Sequence, residues 1–352
     1  MKIALDLLGI SGTFDGGKEQ FILNLLRGIR ENGAGKDLIL IAERDQCSEI
    51  RKLVPEAEIL PADLPRWLKK RLLKILWFRS GRLPELLKKT DAGIIFFPGP
   101  YTGWARMPVP AVVNPHDIQY IQYPSRGGIR NYLQTRLFYS LDFRLRDRII
   151  AISQYDKEAI EKHFPAYSHK LQRIYNPIVF SGKPWDPDRN SPFILSVNIG
   201  FAHKNTETLV RAFERIAGQI PHRLLLAGNL RAETRYLEEM VRGSQFASRI
   251  LFTGFVPDAQ LDTLYAGCSL FVTTSLYEGF GMTPVEALGR GIPVISSLET
   301  ALPESTRNKA VYYSPSKDDQ TLADVILRTL ETPPVELVRQ QAREEMIANY
   351  DF

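Results

Sequence analysis

Short apolar runs recur along the chain, each ended by glycine, proline or a polar cluster. In the first half "KIALDLL", "LILIA", "AGIIFFPG", "PAVVNPHD" and "RIIAIS" have strand length and strand composition. Stretches of helical length and period separate several of them, as in "KEQFILNLLRGIREN". Near residue 176 the pattern breaks: "NPIVFSGKPWDPDRNSP" holds four prolines and little periodicity. A second alternating series follows, with "PFILSVN", a helix at about 204–218, "RLLLAG", another helix, "ILFTG", "SLFVTTS" and "IPVISS". The expected organisation is two α/β domains with mostly parallel sheets, over residues 1–175 and 192–352, joined by a linker at 176–191. In such sheets ligands bind beyond the carboxyl ends of the strands.

Length and composition agree with this. The 352 residues suit two domains of about 150–200 residues each. A hydrophobic fraction of 44% with 24% charge argues against disorder. Cys47 and Cys268 alone give no disulfide framework, which points to a reducing compartment. The N-terminal apolar run is too short for a signal peptide, and no segment approaches the ~18 apolar residues of a membrane span. The expectation is a cytoplasmic protein, peripheral to a membrane at most.

The net charge of +5 is uneven: residues 66–89 hold nine Lys/Arg against one acid. On a helical wheel Trp67, Leu68, Leu72, Ile75, Leu76 and Phe78 share one broad side, with Arg66, Lys69, Lys70 and Lys74 mostly opposite. Such a helix fits an anionic membrane surface, and it also fits an ordinary domain helix with a basic outer face. A nucleic-acid partner is not expected, since no recognised binding module accompanies the charge.

The stretch "SLYEGFGMTPVEALGRGIPVISS" places Glu278 and Glu286 eight positions apart. A strand ends, "LYEGFG" turns, and "MTPVEALGRG" reads as a helix with Pro284 in its first turn, where proline is tolerated. Gly279 and Gly281 let the backbone approach a ligand, and the helix start suits an anion. Two carboxylates beside an anion site suit a ligand with a diol at each end and a diphosphate between, which describes a nucleotide-sugar.

Here the sequence resembles a family. "YEGFGMTPVEALGRGIPVISS" is similar to the E-x7-E signature of retaining glycosyltransferases of the GT-B fold, in the large family 4 type. "GGKEQFILNLL" resembles that family's N-terminal glycine loop and helix, "NPHDIQYIQYP" its His-Asp segment, "AISQYDKEAI" its next strand and helix, "HKNTETLVRAF" its Lys-Asn helix start, and "FTGFVPDAQLDTLYAGCSLFV" its base-side loop. The resemblance covers nearly the whole chain. It implies two Rossmann-like domains facing each other across a cleft.

Residue by residue, the resemblance implies that Glu278 faces the transferred sugar. Gly279, Phe280, Gly281, Met282 and Thr283 would surround the sugar hydroxyls and distal phosphate, and Glu286 would bind the ribose. Lys204 would neutralise the departing diphosphate, Gly17 would admit donor and acceptor, Val256 would lie near the base, and His116 would sit on the acceptor side close to the donor sugar. Such enzymes need no metal and no separate cofactor. The implied activity is retaining hexosyl transfer from a nucleotide-sugar to a hydroxyl of a glycan or lipid-linked glycan, in cell-surface polysaccharide synthesis. "HDIQYIQYP" looks most like users of mannose-type donors, so a GDP-sugar is expected before a UDP-sugar.

Some features depart from the family or admit other readings. Where relatives carry an arginine shortly before the lysine, "SVNIGFAHKN" has Asn198 and Ile199, so the charge would come from His203, Arg231 or Lys18. The chain stops at "IANYDF", where relatives continue into a helix crossing back to the first domain. Asp117 reads as a loop cap. "DPD" at 186–188 lies in the linker, not at a strand end, and His163, His169 and His222 have no metal-ligand spacing. The glycine loop at 12–17 does not match G-x-G-x-x-G. Two alternatives stay open: a GT-B nucleotide-sugar epimerase, and a non-catalytic nucleotide-sugar or glycan-binding partner.

Overall fold

A computed structural model describes residues 1–9, 17–124, 128–180 and 182–351. The chain forms two compact units, Met1–Val179 and Phe180–Asp351. The proline-rich linker divides between them. Beyond Phe180 it joins the second unit, where the amides of Asp186 and Asp188 donate to the carbonyls of Ala266 and Gly267.

The first unit is built on seven strands: β1 (Lys2–Asp6), β2 (Leu38–Glu43), β3 (Glu58–Ala62), β4 (Ala92–Phe97), β5 (Ala111–Val113), β6 (Arg148–Ala151) and β7 (Leu171–Arg173). All pairings are parallel, in the order β3-β2-β1-β4-β5-β6-β7. Ile39, Ile41, Ile95, Phe97, Val113 and Ile149 are fully buried, as expected for central strands covered on both faces. The apolar stripe of helix Gly17–Glu31, including Phe21, Ile22 and Leu26, seals one side of β1 and β2.

The second unit repeats the plan with six strands: β8 (Phe193–Val197), β9 (Arg223–Ala227), β10 (Ile250–Gly254), β11 (Leu270–Thr273), β12 (Val294–Ser297) and β13 (Val311–Tyr313). They run parallel in the order β10-β9-β8-β11-β12-β13. The chain turns from β8 to the helix Thr206–Ile216 through Asn205, whose φ of 52° lies in the left-handed region that asparagine tolerates. Helix Glu336–Tyr350 packs on Met282–Gly289, and the Tyr350 ring meets Phe280 edge-on at 5.3 Å. The last described helix is therefore seated in this unit.

The basic segment differs from its helical-wheel reading. Helix Arg71–Trp77 continues through a π-turn at Phe78–Arg82 into Leu83–Leu87. Ile75, Leu76, Phe78, Leu83 and Leu87 are buried in the core, so most of the apolar side faces inward. Trp67, Leu72 and Leu73 stay exposed among the lysines. No helix among the described residues is long and apolar enough to cross a membrane.

Candidate active site

In the second unit, β11 delivers the chain to a loop in which Ser275 and Glu278 converge on Lys204. The Lys204 ammonium lies 2.6 Å from Glu278 Oε1, and the Ser275 hydroxyl donates to the same oxygen at 2.7 Å. The loop is clamped around this contact. Glu278 N donates to Thr300 Oγ1, which in turn donates to Glu278 O. Thr274 Oγ1 donates to the carbonyl of Lys204, and Leu276 N donates to that of His203. Burial pushes the Glu278 carboxyl upward, but Lys204, then His203 and the hydrogen bonds outweigh it and hold it below the ordinary carboxylate range.

This pair is incompletely used. Lysine has three donors, and Lys204 makes one side-chain hydrogen bond among the described residues. Glu278 Oε2 accepts none there, and both side chains keep 13% of their surface exposed. Spare donors and a spare acceptor therefore sit side by side beyond the carboxyl ends of the central strands β8 and β11.

Three residues on from Glu278, Gly281 turns the chain into helix Met282–Gly289 with φ of 90°. A Cβ there would stand 2.7 Å from Leu302, so geometry and packing both demand glycine. Among the described residues no side chain caps this helix, which leaves its first-turn amides for a ligand. Phe280 is buried and packs on Tyr350, so only its backbone can face a ligand.

Glu286 lies one turn in and has its own surroundings. Tyr265 donates its hydroxyl to Glu286 Oε2 at 3.0 Å. Arg290 lies 4.8 Å over the Tyr265 ring and reaches Asp262 at 3.3 Å. Burial outweighs the influence of Arg290 and Tyr265, and the Glu286 carboxyl is raised above its ordinary range. Its Oε1 has no hydrogen-bond donor among the described residues, so it too keeps an open acceptor. Val256 is half-buried in the loop after β10, between the exposed Phe255 and Pro257; Phe255 N donates to Asn229 Oδ1 at 2.9 Å.

At the position where a cation is missing, Ile199 is buried in the core and Asn198 turns with φ of 65°. Among the substitutes, Arg231 lies 4.0 Å over the Phe201 ring beside this turn, and His203 bears electrostatically on Glu278. Lys18 belongs to the first unit.

In the first unit, His116 follows β5 with φ of 68° and half-buried. Its Nε2 is 3.0 Å from the carbonyl of Pro98, which can only accept, so Nε2 carries the proton and Nδ1 is an open acceptor. Burial, then the nearby Lys18, lower its pKa to about 3, and the imidazole is neutral near pH 7. The Lys18 ammonium sits 2.5 Å from where a Cβ on Gly99 would stand, so a side chain there would displace the lysine from this position. Burial, then Arg79, bring Lys18 down to about 8, and it forms no ion pair among the described residues. Asp117 Oδ1 accepts from Gln119 N, the capping role expected of it. Gly17 is exposed at the start of its helix; the rest of the glycine loop lies outside the described residues. No cluster of metal-ligating side chains occurs among the described residues.

The structure thus joins Glu278 to Lys204, seats Glu286 on the following helix, and places His116 and Gly17 in the other unit. Sequence reasoning missed Ser275, Thr300, Tyr265 and Arg290. Only Arg290 left a local signal, four residues after Glu286 on one helix.

Residues 181–349 match the family model of glycosyl transferases group 1, and residues 15–180 match that of glycosyltransferase family 4. The serotype-specific mannosyltransferase WbdA of Escherichia coli is 32% identical over 162 residues, covering 45% of this chain and 19% of that one. The O-antigen chain mannosyltransferase RfbU of Salmonella typhimurium is 25% identical over 67% of this chain and 64% of its own length. The chain's matches thus span about a fifth of WbdA and under two thirds of RfbU. Among solved structures, sucrose-phosphate synthase from Thermosynechococcus elongatus superposes with a TM-score of 0.76 at 20% identity, covering 100% of this chain and 95% of that one. Anabaena Alr3699/HepE in complex with UDP and glucose gives 0.74 at 18%, covering 100% and 96%. The chain belongs to the group 1 glycosyltransferases, with a family 4 first half and the GT-B fold.

Proposed function

We propose that this protein transfers a hexose, mannose in the first instance, from a nucleotide-sugar to a hydroxyl of a glycan or lipid-linked glycan in cell-surface polysaccharide synthesis. The observation that carries this reading is the Glu278–Lys204 pair, with its unused ammonium hydrogens and unused carboxylate oxygen beside an uncapped helix start. Mannosyltransferases of O-antigen chains among the relatives support the sugar and the setting. A GDP-sugar is the expected donor, and no metal or separate cofactor takes part.

In this reading the diphosphate meets Lys204 and the amides of Met282 and Thr283, while Glu278 Oε2 accepts from hydroxyls of the transferred sugar. Glu286 Oε1 accepts from the ribose diol, and Val256 flanks the base. The bond from the anomeric carbon to the phosphate oxygen breaks as the bond to the acceptor oxygen forms on the same face, with retention. The acceptor's proton passes to the departing phosphate oxygen. Catalysis is then leaving-group stabilisation and positioning. His116, neutral with Nδ1 open, is suited to accept a hydrogen bond from a sugar hydroxyl on the acceptor side. The protein works in the cytoplasm, at the anionic face of a membrane, with the lysines and exposed Trp67, Leu72 and Leu73 of 66–89 as the contact.

The test is release of nucleoside diphosphate from GDP-mannose, and from UDP-glucose as comparison, with and without mannan oligosaccharide. Acceptor-dependent release of GDP with an α-linked product is expected. Release independent of acceptor, or none with any donor, would refute transferase activity.

A further inference from the structure

The loops that follow β8, β9 and β10 are joined to one another at the carboxyl end of the second sheet. Gly228 N donates to the carbonyl of Gly254, and Phe255 N donates to Asn229 Oδ1, both at 2.9 Å. On the other side Thr234 Oγ1 donates to the carbonyl of Gly200, and Ala202 N donates to Glu233 Oε1, both at 3.0 Å. A Cβ on Gly200 would stand 2.1 Å from the carbonyl oxygen of Asn229, so backbone lies directly on backbone here. The 229–234 loop is thereby held between the loop of Val256 and the one that carries Lys204.

Arg231 stands within this loop, its guanidinium 4.0 Å from the centre of the Phe201 ring. It is exposed and makes no side-chain hydrogen bond or ion pair among the described residues, so its N–H donors are unused. Contact with the Phe201 face restrains a long side chain and presents those donors as an oriented fork. The cations that bear on Glu278 are Lys204 and His203, and Arg231 is not among them. That separates the fork from the Glu278 end of the site, and the loop that carries it is bonded to the one expected at the base.

The chemistry of the fork selects among bases. Guanine offers two neighbouring acceptors, O6 and N7, to which an arginine donates in a bidentate pair. Adenine puts a donating amino group where guanine has O6, and uracil offers O4 without an adjacent acceptor. A guanidinium already gripped by a carboxylate could not read these edges; this one is free to.

We propose that Arg231, steadied by the Phe201 ring, is the base-reading residue of the second unit and pairs bidentately with O6 and N7 of a guanine nucleotide. The inference rests on the nucleotide-sugar reading above and deepens it, since it names the residue that selects the donor.

Titration calorimetry with GDP, UDP and 7-deaza-GDP, in which carbon replaces N7, tests it. The native protein is expected to bind GDP more tightly than either of the others. Arg231→Ala should weaken GDP binding about 5–150-fold, leave UDP binding nearly unchanged and no longer distinguish GDP from 7-deaza-GDP. Arg231→Lys should behave like the alanine variant, because it keeps the charge and loses the fork. Both variants should keep the native melting temperature without nucleotide, since the side chain is exposed. Equal losses for GDP and UDP would place Arg231 on the diphosphate and overturn the proposal. A GDP preference that survives Arg231→Ala, or native affinity that favours UDP, would also overturn it, and the nucleotide site would stand without this residue's role. A native protein that binds none of the three would remove the donor site and the proposal together.

Discussion

An ion pair lies near the carboxyl end of each sheet, fully buried in the first unit and partly buried in the second, and the two are built for different purposes. In the first, Arg79 grips both oxygens of Asp6 at 2.9 Å and also donates to the carbonyls of Leu8 and Tyr101. Leu8 N closes the remaining approach to Asp6 Oδ1 at 2.8 Å. Four donations from one guanidinium leave almost nothing to offer a ligand. In the second, Lys204 and Glu278 share one contact and keep donors and an acceptor free. A saturated pair fixes a loop, whereas an unsaturated pair retains capacity that a ligand can take up. The first pair is the more deeply buried, but it is the hydrogen-bond count that separates their roles.

The largest effect should come from breaking the saturated pair. Arg79→Leu leaves Asp6 charged and buried, and should cost about 3–5 kcal/mol of first-unit stability, read as lost hydrogen-exchange protection in β1. A cost below about 1 kcal/mol would mean the pair does not hold this region. Lys204→Ala should invert the emphasis. Its stability cost is smaller, because Ser275 still serves the half-open Glu278, but transfer should slow by about 100-fold or more if the ammonium meets the leaving phosphate. Unchanged turnover would take Lys204 out of the chemistry.

Glu286→Ala should weaken nucleotide binding by roughly 10–100-fold, the value of a hydrogen bond to a charged group. The two glutamates also differ in sign with pH. Glu278, held low, contributes stability that is present above the ordinary carboxylate value near 4.5 and is lost as pH falls through its depressed value. Glu286, held high, contributes stability that is present below that ordinary value and is lost as pH rises through its raised value. On acidification nucleotide affinity should therefore fail, as Glu286 protonates, before the Glu278 contact does. Titration calorimetry across pH 4–7 checks the order, and affinity flat to pH 4 would contradict it. The smallest effect is expected at Lys18→Met. Removing that charge should raise the His116 pKa from about 3 without restoring 6.5, because burial is the larger cause. An unmoved imidazole NMR titration would contradict the coupling.

How much of this was legible follows physical lines. Apolar runs covered on both faces declared themselves, and the strands read from them are the central ones together with the edge strand β10. The strands that went unread, β3, β7 and β13, all lie at sheet edges, where fewer apolar residues are needed. β3 even contains Pro61, which an edge tolerates and a central strand does not. The wheel over 66–89 showed a two-sided helix but could not say which side the core would claim; Ile75, Leu76 and Phe78 went inward. Helix Gly128–Leu145 hid for the opposite reason, since apolar residues on both sides cancel the periodic signal. At the candidate site the glycine turn and both glutamates were readable because turn and helix chemistry are local. The supports of Glu286 by Tyr265 and of Glu278 by Thr300 depend on elements brought together by folding, which spacing cannot show.

The most direct test of the central claim is thermal unfolding of the native protein and Glu286→Ala with GDP, UDP, ADP and dTDP. A nucleotide at 100 times its dissociation constant stabilises by about 2.7 kcal/mol, roughly 5–11 °C for a unit of this size. One nucleotide, GDP first, should shift the native protein by several degrees and the variant far less. A native protein that responds to none of the four, or a variant that responds equally, would contradict the assignment of the second unit as the donor site.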